Sequence, residues 1–236
     1  MLLLNILLLF QGFQPDSTTT AAGDGVASQS FFDIILQSGT VGIIIVLLQI
    51  ILSIIGLYIF VERYLTIRKA VKIDDHFMNN IRVNVQSGNI QGAKALCQAT
   101  DSPVARMVEK GLQRIGKPLR DIDAAIENVG NLEVFKLERG LSTLASIAGA
   151  TPMLGFLGTV TGMILSFYSM ATAENVTPAL LAGGIYQALL TTAFGLIVGI
   201  AAYIGYNVLV SNVENVVFKM ERSTTEFMDL LQEPGV

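Results

Sequence analysis

Three stretches of this 236-residue chain carry no charge for long enough to cross a lipid bilayer. A hydrocarbon core needs about 20 apolar residues in helical form. The charge-free runs are Ile34 to Val61, Gly140 to Ala173 and Asn175 to Val213, each longer than that minimum, and Glu174 alone separates the last two. One such run could be a buried helix of a water-soluble domain, but three in one chain require lipid as part of the solvent. Charged residues make up 14% of the chain, against the roughly 25% of a soluble domain, so composition agrees.

Charge placement gives the orientation. All 15 Lys and Arg fall between Arg63 and Arg139 or at Lys219 and Arg222. Arg63, Arg68, Lys69 and Lys72 directly follow the first run, which marks that end as cytoplasmic by the positive-inside rule. The amino terminus is then external, and every base lies inside. The pattern predicts an external segment over 1–38, transmembrane helices over 39–61, 140–171 and 179–211, and an external loop over 172–178. It also predicts a cytoplasmic helical domain over 62–139 and a cytoplasmic C-terminal helix over 212–236. Met1 to Phe10 is apolar but lacks a basic n-region, and is expected to be retained outside the membrane or lying on it.

The same charges exclude other classes. A net charge of −4 with no basic tail gives no electrostatic basis for nucleic-acid binding. Cys97 is the lone cysteine and His76 the lone histidine, so neither a disulfide nor a metal-ligand cluster is expected. No phosphate-binding loop, nucleophile with matching base, or paired intramembrane carboxylate occurs, so the expectation is no enzyme, no cofactor and no metal.

Between Glu62 and Arg139 the periodicity is helical with clear breakers. Ser87-Gly88-Asn89 reads as a turn into a helix over Ile90 to Ala99, with Ala93, Leu96 and Cys97 on one side. Asp101-Ser102-Pro103 reads as the cap of the next helix, which Gly116-Lys117-Pro118 ends. From Leu119, an apolar stripe of Ile122, Ala125, Ile126, Val129, Leu132 and Val134 has no evident stop. A continuous helix to about Ala171, roughly 80 Å long, is expected. The third span likewise runs into Val216, Val217, Met220, Phe227, Leu230 and Leu231 on one helical face. The fold class is therefore all-α: a polytopic membrane protein with three transmembrane helices, two of them extended into a cytoplasmic helical bundle.

The second and third runs differ in texture from the Ile- and Leu-rich first. Thr151, Gly155, Thr159, Gly162, Ser166 and Ser169 step by three or four residues, which places them on one face of a helix. Gly184, Ala188, Thr191, Thr192, Gly195, Gly199 and Ala202 make a second stripe, with Gln187 at its edge. Small residues at this spacing let helices approach closely in lipid. Counting inward from the ends of the spans puts Thr159 and Thr192 at the same depth near the bilayer midplane. Their hydroxyls could line a path for ions or water, or hydrogen-bond another helix. Threonine does not titrate usefully, and the cores of the three spans contain no Asp, Glu, Lys, Arg or His. Any proton translocation needs a titrating group from a partner.

Thr151-Pro152-Met153-Leu154-Gly155-Phe156-Leu157-Gly158-Thr159-Val160-Thr161-Gly162-Met163 resembles the TPxLGLLGTVxGM signature of the MotA/TolQ/ExbB proton-channel family. Gly184 to Leu196 is similar to that family's third-span motif. Three spans with an external amino terminus are most like ExbB or TolQ, and the external extension favours ExbB. The resemblance implies a bacterial inner-membrane homo-pentamer surrounding the helices of an ExbD- or TolR-like single-span protein that supplies an intramembrane Asp. It further implies that Thr159, Thr192, Gln187 and Thr191 face the pore or partner helix, while Gly155, Gly158, Gly162, Gly184, Gly195 and Gly199 serve close helix packing. Many ExbB and TolQ sequences carry Glu where this chain has Gln187, so titration falls wholly on the partner. The implied function is the stator of a proton-motive-force-driven motor that energises TonB-dependent outer-membrane transport. A TolQ-like envelope-maintenance role and a non-conducting membrane scaffold are the alternatives.

Overall fold

The computed structural model describes residues 39–71, 76–173 and 178–232. The expectations for the external segment 1–38 and for most of the 172–178 loop lie outside these residues. Seven helices account for nearly all of the described chain: α1 Gly39–Val71, α2 Phe77–Gln86, α3 Ile90–Ala99, α4 Pro103–Leu112, α5 Leu119–Glu138, α6 Leu141–Thr172 and α7 Pro178–Gln232. No strand occurs among the described residues. Three segments, in α1, in α5 with α6, and in α7, are long and apolar enough to cross a membrane. The chain is an all-α polytopic membrane protein.

Local signals set the short helices. Gly88 takes φ +74° in the turn after α2, and the Asn89 side chain accepts the Gly92 N–H at 3.0 Å to start α3. Ser102 does the same for α4, accepting the Ala105 N–H at 3.1 Å with Pro103 in the first helical turn. Ala93 and Cys97 are buried as their spacing requires, while Leu96 is half-buried.

The expected continuous helix from Leu119 to Ala171 is broken. Arg139 is extended (ψ 126°) and Gly140 is left-handed (φ 85°), so α5 ends and α6 begins with the Leu144 N–H donating to the Gly140 carbonyl at 3.1 Å. Only glycine adopts that conformation without Cβ strain. The buried face of α5 steps through Ile122, Ile126, Gly130, Glu133 and Leu137, which leaves Leu132 and Phe135 61% and 72% exposed. Leu132 therefore leaves the stripe predicted for it.

By contrast, α7 is one helix of 55 residues, about 80 Å long. Its distal part carries the core of the small-helix domain. Val216, Met220, Phe227 and Leu230 are buried against α4 and α5, with Val217 and Leu231 half-buried. Phe227 fills the notch above Gly111, where an added Cβ would lie 2.5 Å from its Cε1. Ile67 and Ala70 of α1 join the same core, so the small domain and the spanning helices share one packed interior.

The spanning helices bury little of themselves. Ile44, Ile54, Leu57, Phe156, Leu189 and Ile200 are all exposed. An exposed apolar surface of this extent is stable only against lipid or another protein.

Candidate functional site in the spanning helices

α6 and α7 pack antiparallel, and small residues set their separation. Ser166 lies against Gly184, Gly162 against Ala188, Gly158 against Thr191, Gly155 against Thr191 and Thr192, and Thr151 against Gly195. Gly199 completes the series by receiving Pro152, whose ring leaves the Ala148 carbonyl without its helical N–H partner. At the centre the two backbones touch. A Cβ on Gly155 would sit 3.1 Å from the Cα of Thr192, and one on Gly195 would sit 2.8 Å from the Thr151 carbonyl oxygen and 3.1 Å from the Cα of Gly155.

That approach permits a hydrogen bond between helices: the Thr192 hydroxyl donates to the Gly155 carbonyl at 2.7 Å. Thr191 is buried, and its hydroxyl donates to the Gln187 carbonyl one turn back at 3.1 Å. Gln187 itself is half-buried. Thr151 is fully buried and donates to the Ile147 carbonyl at 2.7 Å.

Thr159 stands apart from this face. Its hydroxyl donates to the Phe156 carbonyl at 2.7 Å, and the residue lines an open, shallow apolar groove with Val160, Met163, Ile164 and Phe167. The buried face of α6 steps through Thr151, Gly155, Gly158 and Ser166, so Gly158 rather than Thr159 meets α7, and Ser169 is exposed. The depth count had placed Thr159 and Thr192 level. In this register Gly155 is opposite Thr192, and Thr159 lies one turn, about 6 Å, further along the pair.

One polar residue at this centre was not singled out from the sequence. Gln49, midway along α1, is 0% exposed, and its Nε2 donates to the Thr191 carbonyl at 3.4 Å. Its signal is a lone amide in the otherwise apolar run Val41 to Leu52.

A charged cluster lies elsewhere, between α4 and α5. Glu133, only 4% exposed, accepts from Arg106 at 2.7 Å and from Lys136 at 2.6 Å, and Arg106 also reaches Asp101 at 2.6 Å. Burial pushes the Glu133 carboxyl up, but the hydrogen bonds and charges of Arg106 and Lys136 outweigh it and hold the group below its ordinary value. Arg106 is correspondingly raised, burial being overcome by Glu133 and Asp101. Burial, with a contribution from Glu109, pushes the Cys97 thiol up to about 12. Arg63 donates to the Lys136 carbonyl at 3.2 Å and so ties α1 to the end of α5.

An all-α membrane protein whose spanning pair meets along glycines, with hydroxyls and no Asp, Glu, Lys, Arg or His between Leu141 and Thr172 or between Pro178 and Val213, is a membrane subunit organised around helix contact. The sequence profile of the MotA/TolQ/ExbB proton channel family matches residues 99–222, more than half of the chain, and the chain belongs to that family. It is 28% identical to a biopolymer transport protein ExbB homolog of Methanothermobacter thermautotrophicus over 81% of this chain and 68% of that one. It is 27% identical to the Tol-Pal system protein TolQ of Pseudomonas aeruginosa over 86% of this chain and 92% of that one. Identity rises to 41% with the biopolymer transport protein ExbB of Salmonella typhimurium, across 30% of this chain and 29% of its relative.

Proposed function

We propose that this chain is the inner-membrane stator subunit of a proton-driven motor that energises TonB-dependent outer-membrane transport. Its amino terminus is periplasmic, its carboxyl terminus cytoplasmic, and five copies surround an ExbD- or TolR-like helix bearing an Asp. The segments 39–61, 140–171 and 179–211 lie in the membrane, and 62–139 with 212–236 form the cytoplasmic bundle. Each elementary charge moved across 100 mV releases about 2.3 kcal/mol, which the machine converts into motion of the partner and force on a TonB-like protein.

The observation that carries this reading is the Thr192 to Gly155 contact at 2.7 Å between segments, Leu141 to Thr172 and Pro178 to Val213, that hold no Asp, Glu, Lys, Arg or His. The close-packed pair offers hydroxyl, carbonyl and amide groups but no Asp, Glu, Lys, Arg or His in these segments, so a partner carboxylate must bring the titrating group. Thr159 is half-exposed on an open groove, where a partner helix can meet it, and Thr191, Thr192 and Gln187 form the polar side of the opposite helix. The six glycines hold the two helices together. A TolQ-like role is supported by the TolQ relative, which matches over 92% of its own length.

Thr159→Ala combined with Thr192→Ala tests the motor. Loss of proton-driven uptake with normal assembly is expected, and Thr192→Ser, which keeps the hydroxyl, should retain activity. Full uptake in the double variant would refute the motor role and leave the scaffold reading.

A further inference from the structure

Gln49 is buried at the level where α7 meets α6, and it bonds α7 beside that contact. Its Nε2 reaches the Thr191 carbonyl at 3.4 Å, while the next residue, Thr192, reaches the Gly155 carbonyl at 2.7 Å. One turn of α7 is therefore bonded to both other spanning helices. The same amide nitrogen lies 2.7 Å from where a Cβ on Gly195 would be, and the Thr151 carbonyl lies 2.8 Å from that point, so the three helices converge within a few ångströms.

The other half of the amide is not satisfied. Gln49 Oε1 is buried and has no hydrogen-bond partner. An unpaired acceptor in a membrane interior costs stability, and an apolar side chain of similar size would avoid that cost. Turning the amide over does not help, because it would set Oε1 against the Thr191 carbonyl oxygen. The residue is thus poorly explained as a stabiliser and well explained as a register pin, the best-attested use of a buried polar group.

We infer that Gln49 is a positioning residue for proton translocation: it fixes the Thr191–Thr192 turn of α7 from α1, beside the contact with α6, so that the Thr192 hydroxyl keeps its place against α6. The inference rests on the proton-channel reading above.

The test uses the full chain co-expressed with a single-span partner carrying one intramembrane Asp, and follows proton flux into vesicles with a pH-sensitive dye. Gln49→Leu should assemble as well as the parent and lose about threefold to tenfold in flux, the range one interhelical hydrogen bond in a membrane supports. Gln49→Glu discriminates position from bulk packing. Its protonated form donates an O–H to the Thr191 carbonyl in place of the amide N–H, and its ionised form cannot. Flux relative to the parent at the same pH should be near parental in acid and fall as pH rises, a profile that a space-filling role would not produce. Parental flux in Gln49→Leu, a flat relative profile in Gln49→Glu, or failure of both to assemble overturns the inference. Thr192→Val separates the two levels: loss of flux there with none in Gln49→Leu refutes the pin alone, and retention in both refutes the channel reading itself.

Discussion

Gly195 is the position where the spanning bundle has least room. Alanine there places a Cβ 2.8 Å from the Thr151 carbonyl oxygen, 3.1 Å from the Cα of Gly155 and 2.7 Å from Gln49 Nε2. The first two neighbours are backbone atoms of a helix, so no rotamer change relieves them. Restoring ordinary contact requires α6 and α7 to part by more than half an ångström, which lengthens the Thr192 to Gly155 hydrogen bond from 2.7 Å and strips dispersion contacts along the pair. Overpacking of this kind costs about 1 to 3 kcal/mol. Gly149 and Gly183 provide the controls, because a Cβ at either meets nothing within 4 Å. At these sites alanine should be neutral or stabilising by up to about 1 kcal/mol through helix propensity. The assay is thermal unfolding of the purified complex in one detergent, with all three variants compared. A gap of about 2 kcal/mol, close to thirtyfold in the folded-to-unfolded ratio, is expected between Gly195→Ala and either control. Equal stability of all three would refute the claim that backbone contact at Gly195 sets the helix separation.

The buried carboxylate makes stability sensitive to acid. Because the folded Glu133 titrates below its ordinary value, its contribution is complete above the usual carboxylate range of about 4 to 5 and disappears as pH falls through the lowered value. Glu133→Gln should remove that acid-side slope from unfolding midpoints measured against pH, and lower stability at neutral pH by about 1 to 3 kcal/mol; the half-exposed Arg106 keeps the loss below that of a fully buried pair. Cys97, with its thiol pushed up to about 12, should resist iodoacetamide at pH 8 in the native protein and react fully once denatured, as mass spectrometry of the alkylated chain would read. Phe227→Ala should cost about 3 to 5 kcal/mol in chemical unfolding of the detergent-solubilised protein, since the ring is 0% exposed above Gly111 and Ile126.

The spans were legible because an absence of charge sustained from Ile34 to Val61, and for longer in the two later runs, leaves few physical options. The glycine spacing was legible for the same kind of reason, since few patterns other than helix contact put Gly155, Gly162, Gly184, Gly195 and Gly199 on two faces. What a helical wheel cannot give is the register between two helices. Thr159 and Gly158 differ by about 100° on α6, and the step of four that kept Thr159 in the stripe was as regular as the step of three that puts Gly158 there. The break at Gly140 was hidden because a glycine inside a helical pattern is tolerated as often as it terminates one. Its left-handed φ of 85° stands beside a long-range contact that no local pattern announces, the bond from Arg63 of α1 to the Lys136 carbonyl. The burial of Glu133 was not legible, because nothing local announces that Arg106, 27 residues away, will cover it.

The two buried polar clusters obey opposite rules, and the difference bears on how the molecule is held. Glu133 is enclosed by two cations, so its charge is compensated where it is buried and the α4–α5 contact is fixed by Coulomb attraction. In the spanning helices, pairing of that strength is absent. The α1, α6 and α7 contact includes a hydroxyl at 2.7 Å, an amide at 3.4 Å and glycine backbones in contact. Hydrogen bonds between membrane helices average about 0.6 kcal/mol, so a modest differential interaction with either Thr192 or Gln49 is enough to shift the spanning pair, whereas the Glu133 cluster would not yield to it. If the spanning contacts were instead the rigid part, Gln49→Leu and Thr192→Val would leave hydrogen exchange of the α6 and α7 backbone amides unchanged, while Glu133→Gln would raise exchange only in α4 and α5. Faster exchange in the spanning pair after the first two substitutions is the outcome that the bond lengths predict.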